Sequence, residues 1–213
     1  MQIRTLPTPL LSSDMYLICE NGHVIIVDPY PFAQLELPPE SVVDYIFLTH
    51  EHYDHISGTN ALRERFRCPV VCGEVCSKRL PDPRKNFSHY FTAYAALQTG
   101  ETVPEELLPV QDYAACADES FQGSREILWQ GHRFVLTETP GHSPGSICIL
   151  LDEKVLFSGD TLLPSGKQMT RFPDGSLAQY ETYALPYLRS LPPDVLVYPG
   201  HYEAFRLGDC PLS

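Results

Sequence analysis

Apolar and polar positions alternate in short runs that switch between a period of two and a helical period. Met15 to Glu20 is apolar, Asn21-Gly22 is a two-residue turn signal, and His23 to Asp28 is a second apolar run, which together predict a β-hairpin. Pro29 to Pro39 is a proline-rich loop. Val42 to Thr49 is β-branched and aromatic, the composition of a buried strand, and it ends at His50. Asp54 to Phe66 has helical spacing, with Ile56, Leu62 and Phe66 on one face and Arg63, Glu64 and Arg65 on the other. A strand at Pro69 to Cys72 and a short helix near Glu74 to Leu80 follow.

Residues 81 to 125 differ in texture, with Pro81, Pro83, Pro104 and Pro109, an aromatic stretch from Phe87 to Tyr94 and an acidic Glu105-Glu106. They read as a partly helical insertion, a candidate lid. Strand patterns return at Glu126 to Trp129, Arg133 to Glu138, Ser146 to Leu151 and Lys154 to Ser158. Ser176 to Leu191 is helical in pattern, and Val195 to Tyr198 is a last strand running into Pro199-Gly200-His201. Strands followed by helices, twice over, predict a layered α+β domain, and no linker divides 1–213.

Composition narrows the function. The 213 residues carry 15 basic and 27 acidic side chains, a net charge of −12, which makes nucleic acid a poor partner. No apolar run is long enough to span a bilayer and the start lacks a secretion-signal core, so a soluble, cytoplasmic protein without a membrane partner is expected. Seven cysteines without CxxC pairs read as reduced, mostly buried thiols. Cys68, Cys72 and Cys76 recur every four residues, but Pro69 and Gly73 interrupt any metal-binding helix they would share.

The chemistry lies in His50-Glu-His52-Tyr-Asp54-His55, directly after a strand. Side chains two apart there can aim in one direction, so His50 and His52 can share a metal while Asp54 and His55 turn toward a neighbouring one. Imidazole and carboxylate suit zinc, iron or manganese. Three more candidates, His142, Asp160 and His201, each lie beside a glycine just past an apolar run.

These motifs resemble the metallo-β-lactamase fold superfamily, and within it the hydroxyacylglutathione hydrolase (glyoxalase II)-like branch. The resemblance implies a four-layer αββα sandwich of two mixed sheets flanked by helices, with metals at one edge. It implies one metal on His50, His52 and His142, another on Asp54, His55 and His201, with Asp160 bridging and Asp28 supporting the metal loop from behind. Two divalent cations, zinc first and iron or manganese as alternatives, would activate a shared water against a small ester, thioester or lactone, with Asp54 orienting it and passing a proton. Asp160 argues against a true β-lactamase, and His52 against the flavodiiron branch.

Only 12 residues follow His201, so the helical domain that holds glutathione in that branch is expected to be missing. Met169 stands where the branch commonly has arginine, which also argues against glutathione thioesters. Lys167 and Arg171 are candidates for an anionic substrate group, and Tyr53 and Tyr202 for the oxyanion. His23, His89 and His132 match no motif. The alternatives are a mononuclear-iron enzyme of the persulfide dioxygenase type and, further off, a phosphodiesterase, which −12 disfavours.

Overall fold

A computed structural model describes residues 1–32, 35–99, 112–164, 166, 170 and 173–212. Two six-stranded sheets form the frame. The first runs β1 (Gln2–Pro7), β2 (Asp14–Glu20), β3 (His23–Val27), β4 (Val42–Phe47), β5 (Val70–Gly73) and β6 (Glu119–Phe121), hydrogen-bonded in that order. The second contains β7 (Ser124–Trp129), β8 (His132–Glu138), β9 (Ile147–Leu151), β10 (Val155–Gly159), β11 (Leu196–Pro199) and β12 (Phe205–Arg206), again in chain order. Both are mixed: β3, β4, β5 and β6 pair in parallel in the first and β10 with β11 in the second, while the remaining pairs are antiparallel. Two mixed sheets with helices packed on their outer faces make the αββα layering that the resemblance implies.

The layering follows from the two-residue period of the strands. In β2, Tyr16 and Ile18 face the other sheet, where they join Phe47, Phe134, Ile149 and Phe157 in the central core. Met15 and Leu17 face outward and are covered by Ile56, Leu62 and Leu80 from the helical layer. On the second sheet Leu150, Leu156 and Val197 pack against Tyr180, Leu185 and Leu188. Because both faces of the central strands are buried, these strands read as continuous apolar runs. The β2–β3 turn is the expected one, with Asn21 and Gly22 both at positive φ, 51° and 79°, as a tight hairpin of this hand requires.

Several elements depart from the sequence pattern. The helix expected over Asp54 to Phe66 is two pieces, α1 (Tyr53–Ile56) and α2 (Thr59–Phe66). The break falls at Ser57-Gly58, which lies against the β3–β4 loop, with the Gly58 N–H donating to the Pro29 carbonyl at 2.8 Å. α3 (Glu74–Arg79) and α4 (Phe91–Thr99) follow. Strand β6 lies inside the range 81–125 read as an insertion and extends the first sheet, so residues 119–121 belong to the frame. The helical stretch near 176–191 comprises α5 (Leu177–Gln179), a π-helical turn (Tyr180–Ala184) and α6 (Leu185–Ser190). Residues 100–111 of the insertion lie outside the described residues. Cys68, Cys72, Cys76, Cys148 and Cys210 are buried free thiols.

Candidate metal centre

Four strand ends deliver the charged side chains to one edge of the sandwich. His50 and His52 follow β4, Asp54 and His55 open α1, His142 lies in the β8–β9 connection, Asp160 follows β10, and His201 follows β11. His50, His52, His55, His142 and Asp160 are at most 6% exposed. The ligand atoms of His50, His52 and His142 lie within 4.8 Å of one another, as do those of Asp54, His55 and His201. His52 Nδ1 and His142 Nε2 are 2.9 Å apart, close enough for both lone pairs to face one cation.

Asp160 stands between the two groups. Its Oδ1 is 3.6 Å from His55 Nε2, and its Oδ2 is 3.5 Å from both His142 Nε2 and His201 Nε2. Asp54 Oδ2 is 3.6 Å from His55 Nε2 and 3.5 Å from His201 Nε2. Gly200 lets this edge close, since a Cβ there would overlap Asp160 Oδ1 and lie 2.8 Å from His55 Cε1.

The imidazoles are oriented from behind. Asp28 Oδ1 accepts from the Thr49 N–H at 2.7 Å, and Oδ2 accepts from the Thr49 hydroxyl at 2.6 Å and from His55 Nδ1 at 3.1 Å. The Thr49 proton is thereby committed, so Thr49 Oγ1, 3.0 Å from His50 Nδ1, accepts the imidazole proton. Each ring, when neutral, is thereby held in the tautomer that turns an Nε2 lone pair toward the cluster, the second layer of support metal-binding histidines ordinarily have.

Those lone pairs are where the fit to a cation is tested. His50 Nε2, His55 Nε2 and Asp160 Oδ1 are buried with no hydrogen-bond partner among the described residues. Leaving polar atoms buried and unmatched is costly and rare. Three of them in one cluster of imidazoles and carboxylates fit divalent cations of the zinc, iron or manganese kind.

Electrostatics divide the cluster. Burial and the neighbouring imidazoles push His50 and His52 well below the usual histidine range, which keeps both neutral. Burial would also lower His55 and His201, but the Asp54 and Asp160 carboxylates outweigh it, raising His55 to about 9 and His201 to about 12. Burial opposes ionisation of Asp54 and Asp160 as well, yet the adjoining imidazoles hold both below the ordinary carboxylate value. The excess negative charge that holds protons here is equally suited to holding a cation.

The other expected residues fare differently. Tyr53 is buried with Leu10 and Phe91, its ring 5.0 Å from Phe91 and 5.4 Å from Tyr113, so it sits in a satellite apolar cluster rather than with the histidine and aspartate side chains of the candidate centre. Tyr202 is exposed beside His201 and lines an adjoining cavity. Lys167 and Arg171 lie outside the described residues. His23, His89 and His132 pair with Asp44, Asp112 and Asp152, away from the cluster.

Glu51 is a residue the spacing argument passed over. It is fully buried between His50 and His52, its Oε1 is 2.7 Å from Arg79 Nε, and its Oε2 accepts from the Ser143 hydroxyl at 3.0 Å. It therefore ties the loop of His50 and His52 to the loop of His142. Burial raises its carboxyl pKa against the pull of Arg79. Arg79 also reaches Asp174 Oδ2 at 2.7 Å. The signal was present, because a glutamate inside a metal motif at the end of a buried strand must find a partner.

A family model of the metallo-beta-lactamase superfamily matches residues 8–201. The chain is 26% identical to the probable metallo-hydrolase YqgX of Bacillus subtilis, over 94% of this chain and 90% of that one. It is 27% identical to the hydroxyacylglutathione hydrolase of Rhizobium johnstonii, over 90% of this chain but 66% of that enzyme. Among solved structures it is similar to the BLEG-1 B3 metallo-beta-lactamase, with a TM-score of 0.76 at 27% identity, covering 98% of this chain and 95% of that one. ETHE1 from Myxococcus xanthus gives a TM-score of 0.70 at 25% identity, covering 98% and 81%. TTHA1623 in a di-iron-bound form gives 0.66 at 25% identity, covering 98% and 96%.

Proposed function

The chain belongs to the metallo-β-lactamase superfamily, and from that premise we propose that it is a dinuclear metal-dependent hydrolase of the hydroxyacylglutathione hydrolase-like branch, cleaving a small ester, thioester or lactone. One observation carries the reading: two ligand groups lie on either side of Asp160, whose two oxygens approach both. His50, His52 and His142 would hold one cation, Asp54, His55 and His201 the other, and Asp160 would touch both. Two divalent cations bound there supply Lewis acidity and bring the pKa of water toward neutrality.

The chain's own groups do the rest. Asp54 accepts a proton from the attacking water on its carboxylate and returns it to the leaving group. Asp28 and Thr49 keep His50 and His55 in the required tautomer, and Glu51 holds the two histidine loops in register. The described part of the insertion, which β6 ends at 118 of what we read as one domain, borders the cluster at Phe87, whose ring is 4.9 Å from that of His52.

The likeness to ETHE1 keeps the mononuclear-iron oxidoreductase reading in the test. Metal-loaded protein is assayed on a panel of esters, thioesters and lactones and, in parallel, for oxygen uptake with persulfides. Hydrolysis that is lost on Asp160→Asn supports the proposal. Oxygen uptake without hydrolysis overturns it in favour of the alternative.

A further inference from the structure

Beside the metal cluster, on the His201 side, lies a cavity of about 660 Å³. Asp14, the first residue of β2, lines it and is 4% exposed. A carboxylate this buried normally meets a lysine, an arginine or a backbone N–H. Among the described residues no ion pair or backbone donor reaches it, and the groups facing it are His201, His55 and the Tyr16 hydroxyl. None of these neutralises it at ion-pair distance. The Tyr16 hydroxyl lies beside it but shares its proton with the Pro199 carbonyl, and the Nε2 atoms of both imidazoles face Asp54 and Asp160.

The rest of the lining has the same character. Glu203 adds a second carboxylate, the hydroxyls of Ser12 and Tyr202 add acceptors, and no lysine or arginine is among the described lining residues. Leu11, Ser12 and Tyr202 hold left-handed backbone conformations, with φ of 53°, 57° and 73°, so three of the lining residues are in a region that side-chain-bearing residues rarely occupy. Such outliers concentrate at functional sites.

We propose that this cavity is a substrate subsite for a primary ammonium group, recognised by Asp14 with Glu203, which makes the enzyme selective for amino-bearing substrates. The inference deepens the hydrolase reading and rests on it. An ammonium brings three N–H donors and one positive charge to a site whose described lining offers acceptors and neither lysine nor arginine. A free carboxylate or phosphate on the substrate would be repelled there.

The test uses metal-loaded full-length protein and nitrophenyl esters of hexanoate, of its ω-amino analogue and of its ω-carboxy analogue. A charge-assisted hydrogen bond to a buried carboxylate gives roughly tenfold or more in kcat/KM for the amino ester over the neutral one. The carboxy ester should be slower still. Asp14→Asn should bring the amino-to-neutral ratio toward one, and Glu203→Gln should lower it partway. Hexylamine and hexanol are titrated in parallel by calorimetry, where wild type should bind the amine about tenfold more tightly and Asp14→Asn should lose that difference.

A wild-type ratio near one with hexylamine bound no better than hexanol overturns the subsite, whether or not the esters are cleaved. A full ratio retained by Asp14→Asn also overturns it, as does an Asp14→Asn protein with wild-type amine binding but altered metal content, which would make Asp14 a support for the metal. Amine binding that depends on Asp14, with none of the esters cleaved, upholds the subsite and overturns the hydrolase reading instead. Should Asp14→Asn fail to fold, Glu203→Gln and the hexylamine titration decide.

Discussion

Replacing Arg79 by methionine isolates the buried ion pair that joins the two histidine loops. Glu51 is fully buried, and with Arg79 gone it keeps neutral donors, the Ser143 hydroxyl at 3.0 Å and the backbone N–H groups of Glu51 and Gly145, but no opposite charge among the described residues. Breaking a buried pair by removing one partner costs about 3–5 kcal/mol, because the remaining charge is uncompensated. The second contact of Arg79, to the half-exposed Asp174, adds little. For a domain of this size a loss of 3–5 kcal/mol corresponds to a fall in Tm of about 6–20 °C. Urea unfolding at unchanged m-value should show it. The double variant Glu51→Gln/Arg79→Met should recover much of the loss, since the amide keeps an acceptor for Ser143 and no charge remains. A cost below about 1 kcal/mol for Arg79→Met, or a double variant no more stable than the single one, would refute the assignment of Glu51 and Arg79 as a buried, mutually compensating pair.

Three further outcomes follow from the same geometry. Asp28→Asn removes the acceptor that fixes the His55 tautomer and should weaken metal affinity about 10- to 100-fold, read by chelator competition; unchanged affinity would separate Asp28 from the site. Gly200→Ala places a methyl against Asp160 and His55 and should lower metal content per chain while the far-ultraviolet circular dichroism stays native; full loading would show that the edge can relax. Tyr16→Phe removes the donor to the buried Pro199 carbonyl and should destabilise the protein by about 1–3 kcal/mol, and a loss within 0.5 kcal/mol of zero by the same urea assay would contradict that hydrogen bond.

Much of the candidate cluster was legible because its information is local. His50, His52, Asp54 and His55 lie within six residues at a strand end, and His142, Asp160 and His201 each sit beside a glycine after an apolar run. The long strands were legible because burial on both faces leaves an unbroken apolar run. What escaped depends on contacts distant in sequence. Strands β1, β6 and β12 lie at sheet edges, where a strand need not be apolar, and β6 has only three residues. The break between α1 and α2 is set by the approach of the β3–β4 loop, which helical spacing does not encode. Tyr53 follows a metal motif in sequence, but the turn of α1 carries its ring away from the cluster. Glu51 and Arg79 are 28 positions apart, and their pairing required the parallel β4–β5 arrangement that brings α3 over the metal loop.

The dinuclear reading stands or falls most directly on metal content per chain, measured by elemental analysis on protein purified without chelator and without a metal-leaching affinity column. Two equivalents of zinc, iron or manganese, falling toward one on Asp160→Asn, are the expected result. One iron per chain in the wild type, or a folded protein that takes up no metal on reconstitution, would contradict it.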